Sequence, residues 1–235
     1  VSDINEETSH AKSFTFRVED KYQSLFNYQA GQFLSLRLPW GDGYLDRCYS
    51  LSSCPGKDTD LKVTVKRVKD GRASNLLNDT LKIGDIVDIA PPSGRFVPTA
   101  NHNPLTLFAA GSGITPVMSI IKHTLSETDL GVQLFYANST HDQIIFKQEL
   151  ADLYLRYPKR FHCHHHISAD KGRVNHAAIE QFVSNKIQQD FFICGPSPFM
   201  DLTENTLQTL GVANQAIFIE RFIADTESTL EAEPE

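Results

Sequence analysis

Arg47-Cys48-Tyr49-Ser50 sets a guanidinium, a thiol, a phenol ring and a hydroxyl side by side. The planar fork of an arginine meets two oxygens of a diphosphate at once. Tyrosine offers a flat face for stacking on an aromatic ring, and serine a small donor for a ring nitrogen. The same residues also read as an ordinary strand with one surface arginine. Gly71-Arg72-Ala73-Ser74 offers a second kind of chemistry. Ser74 stands where a helix cap belongs, and the free N–H groups of a helix start suit an anion. The glycine and the small alanine leave room for a ligand at the backbone. Gly111-Ser112-Gly113-Ile114-Thr115-Pro116 is a third site of this type, with Thr115 placed as N-cap and Pro116 as first helical residue. Pro116 replaces the third glycine of the usual dinucleotide fingerprint. A fourth corner, Cys194-Gly195-Pro196, repeats the design, with Ser197 as cap and Pro198 opening a helix.

These corners need strands before them and helices after them. Leu105 to Ala110 has the length and apolarity of a buried strand, and Ile114, Val117, Met118, Ile121 and Leu125 share one helical face. Phe191 to Cys194 is a second buried strand. From Leu105 onward the pattern alternates strand and helix. Strands are expected at 105–110, 132–137, 161–167, 190–194 and 216–221. Helices are expected near 114–126, 143–156, 176–184 and 198–209. That rhythm implies a parallel sheet with helices on both faces, whose strand ends open on a shared crevice. The first hundred residues differ. Phe14, Phe16 and Val18 alternate, as do Leu34, Leu36 and Leu38, and Leu61, Val63 and Val65. Ile86 to Ala90 reads as another strand, and Ser74 to Asn78 as a short helix. This is the pattern of a small antiparallel barrel, with closure the economical way to remove edges. The halves meet near Pro98 to Pro104.

The 235 residues carry a net charge of −7, which argues against nucleic acid as the main partner. Five of the acids lie between Asp225 and Glu235, a solvated tail. No apolar run approaches the roughly 18 residues of a membrane span. Cys48, Cys54, Cys163 and Cys194 form no C-x-x-C, so reduced thiols and a cytoplasmic home are expected. The cysteine spacing of a plant-type iron–sulfur cluster is absent. His162, His164 and His166 would share one face of a strand. With no second ligand cluster, they read as imidazoles at an exposed strand end and not as a metal site. Cys163, on the other face, reads as a small core residue.

Five motifs in order carry a family resemblance. R-x-Y-S at Arg47 to Ser50, G-x-x-S at Gly71 to Ser74, G-x-G-I-T-P at Gly111 to Pro116, C-G-P at Cys194 to Pro196 and E-x-F at Glu220 to Phe222 resemble the ferredoxin–NADP reductase superfamily of flavoproteins. Arg47 to Ser53, Thr64-Val65-Lys66-Arg67 and Tyr136-Ala137-Asn138 look most like the reductase components of 3-ketosteroid 9α-hydroxylase and phenylacetyl-CoA oxygenase. The resemblance implies an FAD-binding antiparallel β-barrel over 1–100 and an NAD(P)-binding α/β parallel-sheet domain over 101–224. Residues 225–235 are then an acidic tail or linker.

Residue roles follow from the resemblance. Arg47, Cys48, Tyr49 and Ser50 would hold the flavin, with Tyr49 on its ring and Ser50 near N5. Thr64 and Val65 belong to the same flavin-binding set. Lys66 and the backbone from Gly71 through Arg72 and Ala73 to Ser74 would hold the flavin diphosphate. Gly111 and Gly113 would admit the dinucleotide diphosphate, with Ile114, Pro116, Ser139, Gly195 and Pro196 beside them. Thr115 would touch both flavin and nicotinamide, and Phe222 would cover the second flavin face. Ser50, Cys194 and Glu220 are the catalytic candidates, Cys194 beside the nicotinamide and Glu220 as proton relay. Ser139 stands where relatives often have arginine. Ser139, Thr140 and His141 suit a 2′-phosphate while Asp142 repels one, which tilts the expectation from NADPH to NADH.

The implied reaction takes a hydride from NADH or NADPH and passes electrons singly to an iron–sulfur acceptor of an oxygenase system. The partners would be a ferredoxin-like iron–sulfur domain or protein and an oxygenase component. The tail would be either the start of a linker to such a domain or a true end. A free flavin or quinone reductase, or a flavin-carrying interaction module, has the same motifs. No iron–sulfur cluster, other metal, nucleic acid or membrane is expected for this chain itself.

Overall fold

Six strands and one helix build the first half. They are β1 (Asp3–Thr8), β2 (Ala11–Phe16), β3 (Phe33–Trp40), β4 (Gly43–Ser50), β5 (Leu61–Lys66), α1 (Arg72–Thr80) and β6 (Asp88–Ile89). They are seen in a computed structural model that describes residues 1–99, 103–184 and 188–222. The acidic tail 225–235 lies outside the described residues. The strands form two antiparallel three-stranded sheets, β1-β2-β5 and β4-β3-β6. Leu34, Leu36 and Leu38 of β3 and Val63 and Val65 of β5 face one core with Phe14, Phe16 and Leu51. Between the leucines, Arg37 points outward and pairs with Asp46 at 2.9 and 3.0 Å. Burying alternate residues this way is what gives the period of two. The expected closure is local: a single bridge, Leu51 to Val63, joins the two sheets. Two strands lie outside the apolar alternation. β1 is polar, Asp-Ile-Asn-Glu-Glu-Thr, and largely exposed at a sheet edge. β4 carries mainly small and polar residues. The strand expected over 86–90 shrinks to Asp88–Ile89, and Ile86 is 94% exposed.

The second half matches the expected alternation closely. It comprises β7 (Leu105–Ala110), α2 (Ile114–Glu127), β8 (Val132–Asn138), α3 (Lys147–Arg156), β9 (Phe161–Ile167), a short α4 (Ser168–Lys171), α5 (His176–Val183), β10 (Asp190–Cys194), α6 (Ser197–Thr209) and β11 (Ile217–Glu220). The sheet is parallel throughout, in the order β11-β10-β7-β8-β9. Every residue of β7 and β10 is buried, as a strand covered on both faces must be. Leu105, Leu107 and Ala109 pack with α2 and α3 on one side; Phe108 and Ala110 pack with α5 and α6 on the other. Helix α3 starts four residues later than its expected bound, because Phe146 takes φ 60° and breaks the run.

The halves share a continuous contact. Ala11, Ala30 and Phe96 join the core of the second half, with Phe96 edge-on to Phe192 at 5.2 Å. The Ser119 hydroxyl donates to the Ser53 carbonyl at 2.6 Å. Lys122 of α2 donates to Asp58 at 3.2 Å and Glu149 at 3.1 Å. Thr99 and Asn103, flanking the connection, both donate to the buried Asp190 carboxylate.

Candidate functional site

The strand order brings the ends of β10, β7, β8 and β9 side by side. At the β7 end, Gly111 takes φ +54°, a left-handed backbone that favours glycine. A 3₁₀ turn over Gly111–Gly113 then runs directly into α2. The cap differs from expectation. Gly113 occupies the cap position and Ile114 opens the helix, so Thr115 is already inside the first turn. Its buried hydroxyl donates to the Ser112 carbonyl at 3.1 Å. Pro116 is tolerated because first-turn N–H groups have no helical acceptor.

The decisive geometry is between corners. A Cβ on Gly113 would stand 2.2 Å from the Cys194 carbonyl oxygen and 2.7 Å from the Gly195 nitrogen. One on Gly195 would stand 2.9 Å from the Ala110 Cβ. The two glycine corners therefore touch backbone to backbone. At the second corner α6 begins one residue early, with Pro196 at the cap position and Ser197 helical. The Pro196 carbonyl accepts from Phe199 and Met200 N–H.

At the first-half corner, α1 opens at Arg72 with Gly71 at the cap position, so Ser74 is not the cap. The Ser74 hydroxyl is buried and accepts from the Val68 N–H at 3.1 Å, which pins the preceding loop. A Cβ on Gly71 would come within 2.6 Å of that hydroxyl oxygen. Arg72 is exposed and Ala73 is buried in the barrel core.

The remaining candidates separate by environment. Arg47 and Tyr49 face the same way along β4, opposite Leu36 and Leu34, and both are half-buried. The Arg47 guanidinium donates to the Asp46 carbonyl at 2.8 Å. Cys48 is exposed, with its sulfur 3.4 Å from the Ser35 hydroxyl, and Ser50 is buried opposite Phe33. Thr64 spends its hydroxyl on Ser13 and Ser52, and Val65 is core, so only their backbone is left for a ligand. Phe222 is 43% exposed, so its ring can be covered by a planar group.

Cys194 is fully buried, and its thiol is pushed well above the ordinary range by burial and then by Glu220, its register partner on β11. Burial also raises Glu220. A carboxyl raised by folding adds stability below its ordinary value of 4.5 and loses it as pH rises through the folded value. Glu220→Gln is therefore expected to melt higher than the parent near pH 7, with the gain closing below about pH 4.5 in a pH series of thermal scans. A lower melting point at pH 7 would show that the carboxylate has a partner in solution.

Gly111, Ser139 and Pro196 line one cavity of about 430 Å³ together with Lys66, Asn138 and Arg173. Sequence motifs alone do not lead to Arg173 or to Ser168, which also lines it. Both follow β9, and only the strand order carries them to the crevice. Ser139 is exposed at the rim, and its carbonyl accepts from Ala169 at 3.0 Å. The Lys66 amine lies beside Gly111, 3.4 Å from the Gln143 side-chain oxygen, and burial lowers its pKa. Arg47, Tyr49 and the Gly71 corner do not line this cavity. A smaller hollow of about 230 Å³ near Phe26 and Tyr28 has carboxylates already engaged, Asp58 with Lys122 and Asp60 with Arg17.

The histidines are used locally. His164 and His166 stack on Phe135 at 5.3 and 5.6 Å. His166 is buried against the Gly172 carbonyl, so it is not part of an exposed strand end. Cys163 is half-buried against the core, and burial raises its thiol to about 12. Among the described residues no three His, Cys, Asp or Glu side chains gather as a metal site. No described helix is long and apolar enough to cross a membrane.

Family comparison decides what these two halves are. Residues 1–97 match the oxidoreductase FAD-binding domain and residues 107–205 the oxidoreductase NAD-binding domain. The ferredoxin reductase component of 3-ketosteroid-9-alpha-monooxygenase from Rhodococcus rhodochrous is 39% identical over 94% of this chain and 64% of its own length. The chain belongs to the ferredoxin–NADP reductase-like family of flavoproteins. Within that family, a component of the 1,2-phenylacetyl-CoA epoxidase from Escherichia coli is 33% identical over 94% of this chain and 66% of its own length. Among solved structures, the flavohem-like FAD/NAD-binding domain of nitric oxide dioxygenase from Vibrio cholerae superposes with a TM-score of 0.79. That match is 27% identical and covers 94% of this chain and 95% of that one. The chain spans about two thirds of the length of the curated relatives it matches. The chain thus carries an FAD-binding and an NAD-binding domain.

Proposed function

We propose that this chain is the flavin and nicotinamide part of an electron-transfer reductase. It takes a hydride from NADH or NADPH and hands electrons singly to an iron–sulfur acceptor that serves an oxygenase. The backbone contact between the Gly113 and Cys194-Gly195 corners carries this reading. It fixes two strand ends as one crevice beside the flavin-binding half. The Rhodococcus relative, by name a ferredoxin reductase component of a monooxygenase, supports the acceptor class. A division near 98–104 fits the two matched spans, and a cytoplasmic home fits four free thiols.

When bound, the flavin supplies hydride acceptance and one-electron release. The chain's own residues have simpler tasks. Arg47, Tyr49 and Ser50 hold and orient the ring system, with the Gly71 to Ser74 backbone at its diphosphate. Phe222 covers the exposed face and keeps water away. Gly111 admits the nucleotide backbone at the crevice beside the Lys66 amine, while Gly113 lets the two corners close on each other. Cys194, held rigid by burial, fills the space beside the reacting ring, and the Glu220 carboxyl beside it on β11 serves as a proton relay near the strand ends. Alignment at short range is the main contribution.

Denaturing the purified protein and chromatographing the released flavin tests the cofactor. FAD is expected, because two anion-suited corners leave room for a diphosphate; FMN alone would reject that part. Anaerobic NADH should then bleach the bound flavin stoichiometrically, and ferricyanide should restore it through many turnovers. Flavin that stays oxidised under both NADH and NADPH would favour a non-catalytic flavin-carrying module.

Lys66 gives a sharper check on the nucleotide half. A desolvated amine with no carboxylate partner among the described residues suits an anionic ligand. Lys66→Met is expected to weaken NADH binding by about 10-fold or more, the scale of one charge-assisted hydrogen bond, while FAD content is retained. Calorimetric titration with parallel flavin spectra reads both. Lost flavin with unchanged NADH affinity would return Lys66 to the flavin diphosphate.

A further inference from the structure

The Gly111 carbonyl is held from two directions. The Ile114 N–H donates to it from within the turn. The Tyr136 hydroxyl donates to it from the neighbouring strand β8, at 3.1 Å. The first bond moves with the turn; the second fixes the turn to the sheet. Tyr136 is fully buried, and burial keeps its phenol protonated, so it stays a donor at any working pH. The Asn138 amide and the Ile145 N–H face its oxygen as donors, which leaves its single hydrogen for Gly111.

A trans peptide unit is planar, so its C=O and N–H point in opposite directions. The Gly111 carbonyl and the Ser112 N–H belong to one such unit, and no described peptide bond is cis. The carbonyl points to Tyr136, which packs in the core on the α2 and α3 side of the sheet. The Ser112 N–H therefore points to the other side. There Phe199 and Leu202 of α6 wall the 430 Å³ cavity that Gly111 also lines. Gly111 has no side chain and a φ of +54°, so little else resists rotation of this peptide. A phosphate oxygen only accepts, so a peptide turned the wrong way costs the corner a donor. We propose that Tyr136 is a positioning residue, whose hydroxyl locks the Gly111–Ser112 peptide so that the Ser112 N–H faces the dinucleotide diphosphate. Tyr136 acts through Gly111 and touches no ligand itself. The proposal rests on reading this crevice as the nicotinamide-nucleotide site.

The test uses the flavin-loaded protein, with ADP-ribose as the calorimetric probe. Tyr136→Phe keeps the ring and removes only the hydroxyl. ADP-ribose affinity is expected to fall about 3- to 10-fold, because affinity scales with the fraction of turns held in the binding arrangement. KM for NADH should rise in step, while FAD content and the flavin-reduction rate at saturating NADH stay near the parent's. A merely structural role would lower flavin content and rate together with affinity. That uniform loss overturns the assignment, and so does unchanged ADP-ribose affinity in the folded variant. A second measurement needs no variant. Gly111-Ser112 is the one Gly-Ser step in the sequence, so labelling glycine carbonyl carbon and serine nitrogen isolates this peptide in a triple-resonance spectrum. In the parent, ADP-ribose should move that N–H signal downfield, as a bond to an anion does. A signal unmoved by saturating ADP-ribose overturns the lock even if Tyr136→Phe does not fold. A parent that binds no ADP-ribose rejects the nucleotide reading of the crevice, and the Tyr136 assignment with it.

Discussion

Gly113→Ala is expected to lose about 5 °C or more of melting temperature and most of its flavin reduction by NADH. The added Cβ would stand 2.2 Å from the Cys194 oxygen and 2.4 Å from the Cys194 carbon. These are backbone atoms at the end of a fully buried strand, so no side-chain rotation relieves the clash. Overpacking a rigid site costs about 1–3 kcal/mol, occasionally more, and a chain of this size loses about 2–4 °C per kcal/mol. The functional loss should exceed the stability loss, because the clash opens the crevice where the two corners meet. Gly43→Ala is the control. It lies at an exposed hairpin, where a Cβ would stand 4.0 Å from the Trp40 carbonyl oxygen, so its change should stay within about 0.5 kcal/mol. A Gly113→Ala protein with the parent's melting point and reduction rate would show that the corners can part freely.

Lys122→Met is expected to cost about 2 kcal/mol, or roughly 4–8 °C, at neutral pH. The Lys122 side chain is 11% exposed and bridges Asp58 of the first half to Glu149 of α3. Removing it takes the cation from Asp58 and leaves Glu149 only the longer pair with Lys62 at 3.8 Å. Full burial would make this loss larger, but the carboxylates are 42% and 34% exposed, so water screens part of it. Burial alone would lower the Lys122 pKa; the Glu149 and Asp58 charges outweigh burial and raise it above the ordinary 10.5. A raised amine adds stability in full below its unfolded value and loses it as pH rises through the folded one. The gap between parent and variant should therefore be widest near neutrality and shrink as pH rises past the ordinary 10.5. Because this contact ties α2 and α3 to the loop carrying Asp58, the variant should also reduce its flavin more slowly at saturating NADH. Lys57→Met, which removes an exposed pair with Glu127, should change little. Equal losses from the two variants would mean that burial of Lys122 adds nothing.

The parallel half was readable because its signals are local. β7 and β10 are fully buried, so they appear in the chain as unbroken apolar runs, and α2 shows its apolar face at helical spacing. The glycines that end those strands were visible too, since tight turns need them. The caps were less readable. Thr115, Ser197 and Ser74 are good cap residues, yet each lies inside its helix, because a 3₁₀ turn, a proline carbonyl and the Val68 loop set the helix starts. β1 escaped notice because an edge strand has no need of apolar alternation.

Two units of different rhythm, the corners that end their strands, and the family motifs at those corners are all written along the chain. Each of these depends on neighbours within a few residues, where periodicity and backbone sterics act. What the corners face is a matter of long-range packing. It set Lys66 of β5, Asn138 of β8 and Arg173 beyond β9 around one cavity, and it pressed Gly113 against Cys194. These residues are tens of positions apart, and no local force relates them. Their meeting follows from the strand order β11-β10-β7-β8-β9, which long-range burial selects and which no short window of sequence contains.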